Sequence, residues 1–197
     1  MSLDQSVGRK PDHPVAPEFL ARWSPRSFTD RELSEADVMS LLEAARWAPS
    51  ASNLQPWRLV WARRGENGFA AIHSALASGN QIWAGQAGVL FAVASKDTMT
   101  NRDGAEVANR TAGFDTGAAW MSLALQAQEM GLVAHAMGGF DKDKLSAAVG
   151  LPENHTLHCV VAVGEQGPVE ALPEDLQARE KPSGRKPLAE IAVHGRF

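Results

Sequence analysis

The chain has 197 residues, 44% of them hydrophobic and 21% charged, which is the balance of one globular domain with a core of its own. A formal net charge of −4 and a pI near 5.9 exclude the basic footprint of a nucleic-acid-binding protein. The longest apolar run, Val89 to Ala94, is too short to cross a bilayer, residues 1–14 carry no apolar signal stretch, and a single cysteine, Cys159, permits no internal disulfide, so a cytoplasmic, non-membrane protein is expected.

In chain order, residues 1–14 are polar and are expected to be flexible. Residues 17–22 read as a short helix with proline at its first position. Ser34 is a good N-cap, Asp37 completes a capping-box pattern, and Val38, Leu41, Leu42 and Ala45 repeat at helical spacing until Pro49 ends the helix. Residues 57–63 predict a strand, 67–77 a helix, and 88–95 a buried central strand. A long helix is expected over 105–130, with Gly131 as its stop. Residues 132–137 read as a short strand, 141–149 as a helix capped by Asp141 and ended by Gly150, and 156–164 as another strand. Residues 166–184 are polar and proline-bearing and read as an exposed excursion, followed by a C-terminal arm over 185–197. Strands do not alternate strictly with helices, so the class is α+β: one domain with a central mixed sheet flanked by helices. The long helix is apolar around much of its girth and belongs to the core or to a dimer interface.

Two segments carry chemistry. Arg22-Trp23-Ser24-Pro25-Arg26 sets two arginines around a hydroxyl where a helix meets a loop, the forked cationic donors that a phosphate wants. Alone, this reads more readily as a solvated basic edge. Pro49-Ser50-Ala51-Ser52-Asn53-Leu54-Gln55-Pro56-Trp57 fixes a loop between two prolines. A capped helix end and a turn account for Pro49 and one serine, but not for Asn53 and Gln55 ahead of Pro56-Trp57.

Together, at this separation, the two segments resemble the nitroreductase family of FMN-dependent NAD(P)H oxidoreductases. The similarity continues through Gly79-Asn80-Gln81-Ile82-Trp83, Asp115-Thr116-Gly117, Met137-Gly138-Gly139-Phe140-Asp141 and Arg185-Lys186-Pro187-Leu188, in order along nearly the whole chain. The resemblance implies that Arg22, Ser24 and Arg185 hold the phosphate and ribityl oxygens of FMN, with Trp23 beside them. It places Arg26 at the pyrimidine edge, where reduction leaves negative charge. Asn80 reaches the ribityl or pyrimidine side, and Gly138 and Gly139 bring backbone N–H groups close to the hydride-accepting nitrogen. Pro49, Ser50, Ala51 and Asn53 come from the other subunit of an intertwined homodimer. Arg26, Gly138 and Gly139 are thus the implied catalytic positions. Ala51, Trp23, Gly88 and Gly138 depart from residues that many members carry.

The implied reaction is ping-pong: NADH or NADPH reduces FMN, and a small acceptor (a nitroaromatic, a quinone or an activated alkene) takes the electrons. An oxygen-dependent flavin-fragmenting enzyme and a non-catalytic FMN-binding protein are the alternatives. No metal is expected. His155 and His158 enter a strand three residues apart, which sends them to opposite faces, and Cys159 reads as a small buried hydrophobe. There is no G-x-G-x-x-G after a strand and no phosphate-binding loop of the Walker type.

Overall fold

The structure, a computed structural model, describes residues 8–196. Its elements are α1 (Pro17–Ala21), α2 (Glu35–Arg46), β1 (Trp57–Arg63), α3 (Asn67–Ser74), α4 (Ser78–Ala84), β2 (Val89–Lys96), β3 (Thr98–Thr100), β4 (Glu106–Ala108), α5 (Ala112–Glu129), β5 (Val133–Met137), α6 (Lys142–Val149), β6 (His155–Gly164) and α7 (Glu174–Gln177). Single 3₁₀ turns lie at Ala51–Asn53, Val169–Ala171 and Leu188–Glu190. None of the described helices is long and apolar enough to cross a membrane.

Local rules account for several boundaries. Proline opens α1. At α2 the Ser34 hydroxyl accepts from the Asp37 N–H (3.1 Å), and the Asp37 carboxylate accepts from the Ser34 N–H (2.9 Å). Asp141 accepts from the Lys144 N–H (3.0 Å) at the start of α6, and Gly150 ends that helix at φ +60°.

The main sheet runs β1-β2-β6-β5 and is antiparallel at every pairing, so the class is α+β as expected but the sheet is not mixed. The reason is topological. β2 and β5 run the same way and are joined by α5, but β6 inserts between them and opposes both. β3 and β4 form a separate hairpin.

Helices cover both faces of the sheet. Leu90, Ala92 and Ala94 of β2 point into one core with Phe69, Ile72, Trp83 and Leu145, while Val89, Phe91 and Val93 point into the other with Val38, Leu41, Leu123 and Ala127. This double burial is why β2 reads as an unbroken apolar run rather than an alternating one. Fully burying a side chain of the size of Phe91 contributes roughly 2–3 kcal/mol.

Three expected elements are corrected. Residues 105–111 are not helical: β4 pairs with β3 there, and α5 begins at Ala112. The helix expected over 67–77 stops at Ser74, and a separate helix, α4, follows it. The segment 166–184 is not simply exposed, because Leu172, Leu176 and Glu180 are buried. Gly167 ties this segment to the first motif. Its N–H donates to the Ser27 carbonyl (2.9 Å), and a Cβ at Gly167 would stand 2.7 Å from the Phe28 backbone. Only glycine permits that approach.

Of the segment expected to be flexible, residues 1–7 lie outside the described residues. Within its remainder, Arg9 donates from one guanidinium nitrogen to the carbonyls of Leu20 (2.9 Å) and Arg22 (2.8 Å). The C-terminal arm exposes Leu188, Ile191 and Val193. Its last residue, Phe197, lies outside the described residues.

Candidate functional site

The expected site residues fall into three groups. The first sits where α1 ends. Arg22 follows the helix and donates to the Ser24 hydroxyl (3.3 Å). Burial lowers the Arg22 pKa, and the nearby charges of Arg185 and Arg9 lower it further. The charges of Arg9 and Arg185 thus lie near enough to act on Arg22, while Arg185 itself donates to Ser183 and Gly184, and no described carboxylate makes an ion pair with any of the three. Trp23 between Arg22 and Ser24 is buried and lines a groove of about 560 Å³ with Arg22, Met130 and Val133.

The strip then runs past β5. Pro25 offers its carbonyl to His135 Nδ1 (3.0 Å), and the His135 ring lies 4.6 Å from that of Trp83. Burial lowers the His135 pKa, opposed by the Pro25 bond and assisted by the Arg26 charge. Stability should therefore depend on this residue below neutral pH. The unfolded chain takes up the proton more readily than the folded one, so the contribution is fully present above about pH 6.5 and is lost as pH falls below it. Urea midpoints at about pH 7 and pH 5 should separate less in His135→Gln than in the wild type. Identical separations would remove His135 from the account.

Arg26 is held by a residue that the sequence did not single out. The Glu180 carboxylate, with no exposed side-chain surface, accepts from the Arg26 N–H, from the Ser27 N–H (3.0 Å) and from the Arg26 guanidinium (3.3 Å). Glu180 lies 154 positions from Arg26, and only its acidic character in an apolar-punctuated segment marks it. Arg9 likewise carries no local mark, standing in the polar segment before α1.

The second group joins Asn80 to the glycine turn after β5. Asn80 Nδ2 and the Ala77 N–H both donate to the Gly139 carbonyl (3.0 Å each). A Cβ at Gly139 would press Asn80 Nδ2 at 3.1 Å, whereas one at Gly138 would meet nothing within 4 Å. Gly138 therefore presents open backbone.

The third group is the loop before β1. Pro49, Ala51 and Asn53 are exposed and Ser50 is half-buried. Ser52, Asn53 and Gln55 adopt φ of +50°, +54° and +50°, a conformation costly for residues with side chains. The strain is held by the Ser50 hydroxyl, which accepts from the Gln55 N–H (3.0 Å), and by Asp115 of α5, which accepts from the Ala51 N–H (3.2 Å) and the Thr111 hydroxyl (2.9 Å). Among the described residues this loop makes no hydrogen bond to Arg22, Asn80 or the glycine turn. It opens β1, at the sheet edge opposite β5.

The remaining titratable groups do not compete. His158 Nε2 lies 2.9 Å from the Ser95 hydroxyl, which itself donates to Asp97 (2.6 Å), so Ser95 has no free proton to lose. Burial pushes the Cys159 thiol up to about 11. Among the described residues no group of His, Cys, Asp and Glu could hold a metal ion.

The chain is similar to known proteins over much of its length. The crystal structure of an oxidoreductase containing FMN superposes with a TM-score of 0.94 at 42% identity, covering 100% of this chain and 98% of that one. An NADH dehydrogenase of Thermus thermophilus is 30% identical over 171 residues, 74% of this chain and 83% of the relative. A 15.4 kDa protein of Mycolicibacterium smegmatis is 37% identical over 89 residues, 45% of this chain and 60% of that protein. The model of the nitroreductase family matches residues 20–79 and 67–165, a span that contains the Arg22 strip, the strained loop, Asn80 and the glycine turn. The chain belongs to the nitroreductase family.

Proposed function

We propose that the protein is an FMN-dependent oxidoreductase that carries electrons from NADH or NADPH to a small acceptor such as a nitroaromatic, a quinone or an activated alkene. The observation that carries this reading is the Arg22 guanidinium on the Ser24 hydroxyl, with the Arg185 charge close enough to act on it and no carboxylate paired with either. Like charges brought together at the cost of a lowered pKa are relieved by an anion, and guanidinium forks with a hydroxyl suit a phosphate monoester. The chain's FMN-containing relative supports the cofactor, and the relative named as an NADH dehydrogenase supports a nicotinamide donor.

Each group then has a task. Arg22, Ser24 and Arg185 bind the phosphate end. Asn80 fixes the glycine turn through the Gly139 carbonyl, so that Gly138 keeps an open backbone face towards the ring. Arg26, tethered by Glu180, keeps a positive charge at the pyrimidine edge without reorganising. An FMN held by Arg22, Ser24 and Arg185 would supply the redox chemistry, accepting two electrons and a proton as hydride from the nicotinamide and passing two electrons with protons to the acceptor. With no Rossmann fingerprint in the chain, donor and acceptor use one site in turn, which is ping-pong kinetics.

We infer further that the site is completed by a second copy. Four strands place the loop at β1 about 14 Å across the sheet from β5, at roughly 4.8 Å per strand spacing. Pro49, Ser50, Ala51 and Asn53 of one chain would therefore serve the partner's site. Phe114 on α5 and Trp47 after α2 are 85% and 74% exposed, the surface a dimer would cover.

The purified protein should release about one FMN per chain on denaturation, and double-reciprocal plots for NADH and a quinone should be parallel. Extraction of FAD, or failure to retain supplied FMN, would sink the cofactor reading. Intersecting lines would sink the shared site.

A further inference from the structure

We propose that Arg9 is a third arginine of the phosphate site, and that the preference of that site for a phosphate-bearing flavin depends on it. The inference rests on the FMN reading above and adds to it a residue outside the family's matched span.

Arg9 reaches the site by way of helix α1. Its NH1 group donates to the carbonyls of Leu20 and Arg22, at 2.9 and 2.8 Å. These carbonyls belong to the last turn of α1 and its cap, where a helix leaves acceptors unsatisfied. The guanidinium is thereby fixed against the backbone of Arg22, whose own side chain reaches Ser24.

Capping α1 explains one nitrogen and no more. Arg9 Nε is buried and has no hydrogen-bond partner. Buried donors are normally paired, so the α1 carbonyls leave part of this guanidinium unsatisfied. The charge is equally unspent. The six ion pairs among the described residues involve none of Arg9, Arg22 and Arg185. Arg9 and Arg185 lie close enough for the second charge to disfavour the first. Arg9 is thus held against the Arg22 backbone, and the Arg185 charge is near enough to act on both. Arg22 and Arg185 together match the charge of a phosphate dianion. Arg9 adds a third fork, and its placement on the α1 carbonyls holds Arg22 from behind.

The two roles separate experimentally, because riboflavin is FMN without the phosphate. Protein stripped of flavin is titrated with each, for the wild type, Arg9→Gln, Arg9→Lys and Arg22→Gln. Arg9→Gln should weaken FMN binding about tenfold and leave riboflavin within about twofold, the loss of one charge-assisted contact. Arg9→Lys, which keeps the charge and loses the fork, should fall between Arg9→Gln and the wild type. It also serves if Arg9→Gln does not fold. Equal weakening of both flavins, or no weakening of either, would reduce Arg9 to a helix cap and overturn the proposal. If Arg22→Gln abolishes the preference for FMN while Arg9→Gln does not, only the role of Arg9 fails. If Arg22→Gln also leaves the preference intact, the phosphate reading itself fails.

Discussion

Arg26→Ala is expected to slow reduction of the bound flavin by NADH about a hundredfold while changing FMN affinity only a few-fold. The argument begins with rigidity. The Arg26 side chain is 19% exposed, its guanidinium is paired to Glu180 at 3.3 Å, and its backbone N–H is bound to the same carboxylate. Such a group is already oriented before the reaction, so its charge acts fully where negative charge develops and costs little reorganisation. An interaction that strengthens towards the transition state shows in the rate more than in the affinity. Stopped-flow reduction and equilibrium FMN titration measure the two separately. Arg26→Lys should recover part of the rate, since it restores charge without the tethered fork. Equal losses in rate and affinity would show that Arg26 merely anchors the cofactor.

Glu180→Ala carries the largest expected effect on stability, about 3 kcal/mol. Removing this carboxylate orphans two backbone donors, the N–H groups of Arg26 and Ser27, and leaves the Arg26 charge half-buried without its partner. Partial exposure of Arg26 keeps the figure at the lower end for a broken buried pair. Glu180→Gln retains an acceptor for the two N–H groups and should cost about 1 kcal/mol. Urea denaturation at one fixed protein concentration gives both values, since a dimer's midpoint shifts with concentration. A midpoint unchanged in Glu180→Ala would show that the carboxylate contributes nothing. The two predictions also couple: once Glu180 is gone, Arg26 is free to reorient, and flavin reduction should slow in Glu180→Ala as well.

The neighbourhood of Arg26 shows where reading the chain stops short. Arg22, Ser24 and Arg26 were identifiable because they stand together, and the loop from Pro49 to Gln55 because its prolines bracket it. Glu180 and Arg9 carry no such local mark. Each becomes meaningful only when the fold brings it to the strip between Arg22 and Ser27. The hairpin of β3 and β4 did carry a mark, Asp103-Gly104, with Gly104 at φ +82°. A reading that extended the helix back to residue 105 overlooked this turn signal.

What the sequence determined by itself is local. Pro17, the Ser34–Asp37 box, the Asp141 cap, Gly131 and Gly150 act within a few residues of themselves, so the ends of α1, α2, α5 and α6 follow from adjacent chemistry. The doubly buried β2 was equally legible, because a strand covered on both faces needs apolar residues at every position. Tertiary structure alone decided the rest. The sheet became antiparallel because β6 entered between β2 and β5, a choice among pairings of strands that local propensity leaves open. The carboxylate of Glu180 found Arg26 across 154 positions, and Arg9 found the end of α1, because burial makes an unmet charge or an open carbonyl costly wherever the chain brings a partner within reach.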